Sequence, residues 1–185
     1  RPHWLGRQQR RHDRSDLEGP CNLVIGLNDI HAQLLEKRPQ HCATLMLDAS
    51  AGGARLICNS DQGAHLPVGQ LVLVLADSGT PTLALVRWRH QNAEGLHLGL
   101  RYLKGLPRPV WLRRAPSAQT HPGVMQSTPE PGNGWHHGLW LPNGQFVEGE
   151  NLWLQLASVN NQAILPLPAS NLCTPSVSRY PLRLA

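Results

Sequence analysis

The strongest constraint in this sequence is a train of short apolar segments cut apart by turn residues. Residues 21–26, 42–47, 54–58, 70–76, 82–88 and 96–103 are each of strand length. Between them stand Ala51-Gly52-Gly53, Pro67-Val68-Gly69, Asp77-Ser78-Gly79-Thr80-Pro81 and residues 92–95, which contain Asn92 and Gly95. Gly supplies backbone freedom, Pro presets φ, and Asn and Asp bond their own backbone, so each cluster reads as a turn. Several short strands at this spacing predict a small antiparallel barrel or sandwich. The run Leu71-Val72-Leu73-Val74-Leu75 does not alternate, which predicts a strand buried on both faces. One interval differs: Asn28 is predicted to cap a short helix carrying Ile30, Leu34 and Leu35, stopped by Pro39.

Composition divides the rest. Eleven of the 16 Pro lie from Pro107 onward. The expected organisation is a polar arm over 1–19, a β-barrel over 20–106, a Pro-rich linker or loop over 107–133, and a β-rich region over 134–185. Within that last region 138–141, 152–156, 163–167 and 182–185 read as strands. There is a short internal echo: Leu66-Pro67-Val68-Gly69-Gln70 and Phe146-Val147-Glu148-Gly149-Glu150 each lead into an apolar strand. It allows a second, degenerate barrel. The fold class expected is therefore mainly β, a six-stranded antiparallel barrel plus a second, smaller β-rich module.

Charge is concentrated. The chain holds 15 Arg and only 2 Lys. Arg1, Arg7, Arg10, Arg11 and Arg14 face a single acid, Asp13, within the first 14 residues, a net +4 of the formal +5. An Arg-rich arm favours planar, forked recognition of phosphates or guanine edges, or is simply a solvated tail. Cys21, Cys42, Cys58 and Cys173 form no CxxC pair, and three fall in strand-like segments, so free thiols are expected. The ten His show no zinc-ligand spacing, so no metal is expected. No apolar run reaches the 18–20 or so residues of a membrane helix, and no secretory leader follows the basic start. A cytoplasmic protein is expected, and the opening on Arg1 reads as a piece of a longer chain.

Two motifs carry the functional reading. Arg10 and Arg14 form an RxxxR pattern, and Asp48, Ser50 and Gly53 form DxSxxG at a strand-to-strand turn. Downstream come Val86-Arg87-Trp88 and Gly-Leu-His-Leu-Gly-Leu over 95–100. In this ordered set the chain resembles the PilZ domain family, the bacterial receptor modules for cyclic di-GMP, over residues 7–106. The resemblance implies a cyclic di-GMP site with the two motifs on opposite sides and the arm folding over the ligand. Arg forks suit phosphates and guanine edges. Asp48 and Ser50 suit guanine N–H groups and polar oxygens. Gly53 would allow positive φ or close ligand approach, and Trp88 offers a stacking face. Arg7 and Arg11 make a second RxxxR register that contacts a second ligand molecule or nothing. Gln9 beside them leaves the stoichiometry at one or two nucleotides. Each residue also has a plainer reading. Asp48 and Ser50 suit an Asx or Ser turn, Trp88 suits packing, and Arg55 suits an exposed strand position as well as a ligand contact.

No GxSxG, HExxH, phosphate-binding GxxxxGK[ST] or GxGxxG occurs, so a non-enzymatic regulatory module without a cofactor is expected. The alternative is a PilZ-like protein-interaction adaptor that binds no nucleotide. A single-stranded nucleic-acid barrel is a third reading, disfavoured because aromatics do not interleave with the basic arm; no DNA partner is expected. A protein partner or attached domain is unidentified. The segments near Trp135, Trp140 and Trp153 suit an oligomer interface.

Overall fold

The structure, a computed structural model, describes residues 19–77, 79–132, 134–156 and 162–183. Six strands come first: β1 (Gly19–Ile25), β2 (Cys42–Ser50), β3 (Gly53–Cys58), β4 (Leu71–Ala76), β5 (Thr82–Asn92) and β6 (Gly95–Tyr102). They close into an antiparallel barrel in the order β1-β2-β3-β6-β5-β4. Closure pairs every edge. Alternate residues fill the interior, among them Leu23, Leu56, Val72, Val86 and Leu98. Cys21, Cys42 and Cys58 are free, buried thiols in that interior, where Cys acts as a small hydrophobe. Arg89 closes the barrel floor by donating from Nη1 to the carbonyls of Gly63 (2.6 Å) and Leu66 (3.2 Å).

The Leu71–Leu75 run is buried on both sides because two cores meet at β4. Val72 and Val74 face the barrel interior. Leu71 and Leu73 face outward into a second core with Val24, Leu83, Val124 and Trp140. The helix α1 (Leu27–Leu34) contributes Leu27 and Ile30 to this joint. Its N-cap is Gly26 at φ 88°, with no side-chain cap bond. Asn28 is therefore an exposed residue inside the first turn, not the cap. The buried His31 donates from Nε2 to the Val110 carbonyl at 3.0 Å and sets its ring edge-to-face on Trp111, with centroids 4.3 Å apart. The carbonyl can only accept, so Nε2 carries the proton. Burial pulls the His31 pKa down, opposed by the Val110 bond. Thus α1 wedges the barrel onto the C-terminal half of the chain.

That C-terminal half is the second β-rich module, a seven-stranded sheet that also takes in the stretch expected as a linker. β7 (Leu106–Arg113), β8 (His121–Glu130), β9 (Gly134–Pro142), β10 (Asn151–Leu156), β11 (Gln162–Pro166), β12 (Leu172–Cys173) and β13 (Val177–Leu182) run in the order β11-β10-β7-β8-β9-β13-β12. The expected linker over 107–133 is thus two central strands and a short loop. Pro-rich sequence survives there because, among the described residues, each strand proline pairs with one neighbouring strand. Among the described residues, Pro107 and Pro109 pair only with β8, and β10 pairs with β7 from Val110 onward. Pro122 pairs only with β7 and Pro129 only with β9. A missing N–H is tolerated at such an edge. Among the described residues the last strand is β13, which ends at Leu182; residues 184–185 of the strand expected over 182–185 lie outside the described residues.

The sheet curls around its own core of Val110, Leu112, Met125, Leu139 and Leu152. Its strand order β10-β7-β8-β9-β13 repeats β4-β1-β2-β3-β6. The sequence echo has the same backbone bonds in both places. Gly69 N–H donates to Val86, and Gly149 N–H donates to Leu167; Val86 N–H returns to Gln70, and Leu167 N–H returns to Glu150. Both glycines have positive φ, 90° and 86°, which a side chain would strain. The counterpart of β5 is split, with β11 on β10 and β12 on β13.

Candidate functional site

The hairpin β2–β3 builds the DxSxxG corner. Ser50 pairs with Gly53 across Ala51-Gly52, and a bulge at Leu47 re-aims Asp48. Interior positions flanking the corner are Ala49 and Ala54, so strand alternation turns Asp48, Ser50 and Arg55 to the outer face. Register extends this face across four strands. Asp48 stands opposite Arg55, Arg55 opposite Gly99, and Gly99 opposite Trp88. A second row runs from Ser50 to Gly53, Arg101 and Leu85. Asp48, Ser50, Gly53 and Trp88 are therefore brought onto one surface.

Gly53 earns its place differently from the sequence expectation. Neither it nor Gly52 has positive φ. A Cβ on Gly53 would stand 2.0 Å from the Leu100 carbonyl oxygen, so glycine lets β3 and β6 approach. The Tyr102 N–H also donates to Gly52 at 2.9 Å and ties the turn to β6. Gly99 plays a second part: a Cβ there would meet the Trp88 indole at 2.0 Å. The indole lies over bare backbone on one side and is 42% exposed.

Arg7, Arg10, Arg11 and Arg14 lie outside the described residues. The strand that follows the arm begins at Gly19, which pairs with Met46, two residues before Asp48. Sequence reading left Arg55 between an exposed strand position and a ligand contact and did not single out Arg101; their signal is the pairing register, which spacing alone does not reveal. Arg87 is the extra residue of the β5 bulge, and Arg89 serves the floor. Trp140 is fully buried in the joint, bonded through Nε1 to Gln126 Oε1 at 3.1 Å, so it faces no partner chain. Trp135, by contrast, is exposed. It lines a cleft of about 950 Å³ in the second sheet with Pro168 and Arg183, none of it formed by the DxSxxG corner.

Among the described residues no cluster of three or more His, Cys, Asp or Glu is arranged to hold a metal, and no helix is long and apolar enough to cross a membrane. Comparison with curated proteins and with solved structures gives no match. The PilZ domain family model matches residues 8–110, the arm, the barrel and the start of β7. With more than half of the chain matched and a closed six-stranded barrel presenting Asp48, Ser50 and Gly53 at one corner, the chain belongs to the PilZ domain family.

Proposed function

We propose that the barrel binds cyclic di-GMP on the outer face of β2, β3, β6 and β5, and that the Arg-rich arm closes over the nucleotide. The observation that supports this most is the row Asp48–Arg55–Gly99–Trp88, with Ser50 beside it. It sets a carboxylate, a hydroxyl, a guanidinium and an indole face side by side. These are the groups that take guanine N–H edges, phosphate oxygens and a purine ring. The arm joins at Gly19, close to this row. Arg14, five residues upstream, can reach about 17 Å from there, enough to return over the corner. Arg10 and Arg14 then supply charge-assisted bonds that fix the arm on ligand binding. Such a module is a non-catalytic receptor, acting in the bacterial cytoplasm on an attached domain or separate partner.

Calorimetric titration of the chain with cyclic di-GMP tests the reading, with GTP as the control and Arg10→Ala/Arg14→Ala alongside. The expected result is saturable binding of one or two nucleotides per chain, lost in the double variant. Absence of binding by a folded, monodisperse sample overturns it and leaves the protein-interaction adaptor.

A further inference from the structure

The row through Ser50 and Gly53 does not end at the nucleotide face. Arg101 follows Gly53, and Leu85 follows Arg101. Leu85 belongs to the joint core that contains Trp140 and Val177 of the second sheet. Arg179 lies two residues beyond Val177, opposite Trp140. Its guanidinium lies 5.7 Å from the Trp140 ring centroid, and its Nε donates to Asn171 Oδ1 at 3.2 Å. Gly138 makes room for it, because a Cβ there would stand 2.9 Å from Arg179 Cδ. The side chain is thus held by a ring and an amide, while its terminal nitrogens bond to nothing among the described residues.

Arg101 and Arg179 border the same joint, one beside Leu85 and the other over Trp140. Burial first, and then the Arg101 charge, pull the Arg179 pKa down. No carboxylate among the described residues pairs with either of them. Two guanidiniums at one joint raise each other's energy unless an anion accompanies them. Phosphate suits such a pair, since a planar fork bonds its oxygens two at a time.

We propose that Arg101 of the barrel and Arg179 of the second sheet clamp one phosphate of the cyclic dinucleotide, so that the ligand engages both modules. This rests on the nucleotide reading above. The second sheet then acts as part of the receptor, and the nucleotide bears directly on the joint that holds it.

The full chain is titrated with cyclic di-GMP as wild type, Arg101→Ala, Arg179→Gln, Arg179→Lys and the double variant Arg101→Ala/Arg179→Gln. Loss of either guanidinium is expected to weaken binding about 10- to 100-fold, the range of a charge-assisted bond. Arg179→Lys keeps the charge without the fork and is expected to fall between wild type and Arg179→Gln. The double variant is expected to lose less than the product of the single losses, because the two act on one phosphate. A purely structural Arg179 would lower the melting temperature of the free protein without that coupling to the exposed Arg101. Wild-type binding with unchanged affinity in both Arg179 variants overturns the clamp and leaves the nucleotide site intact. No binding by the wild type overturns the nucleotide reading itself, and the clamp with it.

Discussion

In the barrel, β5 runs unbroken from Thr82 to Asn92, pairing first with β4 and then with β6. In the second sheet the corresponding stretch pairs with β10 as far as Pro166 and meets β13 again only at Leu172. Pro166 and Pro168 stand at the break, and neither has an N–H to give a ladder. One strand thus decides whether the same strand order ends as a closed barrel or an open curl. The closed copy carries the DxSxxG corner. At the matching hairpin of the open copy, Glu130 pairs with Gly134, and the motif is gone. The two copies nevertheless share a core, and that is where the comparison can be broken.

The largest effect is expected from Trp140→Ala. It removes a fully buried indole from the joint and strands the Gln126 amide, at about 3–5 kcal/mol. Chemical denaturation should show one transition at lower denaturant for the whole chain. Two separate transitions would mean that the barrel and the sheet fold independently and that the shared core counts for little.

Gly53→Ala should come next, at about 1–3 kcal/mol, because the new Cβ collides with backbone at Leu100. Gly132→Ala, with nothing within 4 Å but φ at 81°, is the comparison variant in the open copy. Thermal melts should show a loss in both, through a steric clash in one and backbone strain in the other. A Gly53→Ala protein as stable as wild type would contradict the close strand approach at the corner.

The smallest effect is that of pH on the joint. The folded-state pKa of His31 lies below its unfolded value, through burial. The folded protein then binds fewer protons across that window, so the contribution is full above the unfolded value of about 6.5 and is lost as pH falls through the folded one. Melting temperature should therefore drop on acidification by more in wild type than in His31→Gln. Parallel pH profiles would remove His31 from the joint's energetics.

Much of the closed copy could be read from its residues. Six apolar segments matched six strands, and the Leu71–Leu75 run announced burial on both faces. β5 was read short because residues 89–92 are polar and exposed, and backbone pairing with β6 leaves no apolar signal. The open copy was harder. Proline is the usual mark of a loop, and only pairing with other strands shows that Pro107, Pro109, Pro122 and Pro129 each pair on one side among the described residues. At the site, the corner motif was visible, and Trp88 with it. The reason for Gly53 was not, because the Leu100 carbonyl it faces is 47 positions away in sequence. Arg179 was invisible for the same reason: nothing near it in sequence relates it to Arg101.

The shared apolar joint also bears on how this chain can be divided. The family match stops at residue 110, midway along β7. A fragment ending there would keep Val24, Leu71, Leu73, Leu83 and Leu85 on its barrel wall and lose Val124, Trp140 and Val177, which cover them. Large contiguous apolar surfaces promote self-association. A recombinant barrel cut at that point would be adhesive and poorly soluble, and polar replacements at Leu73 and Leu83 would be the first step in making it behave as a free-standing unit.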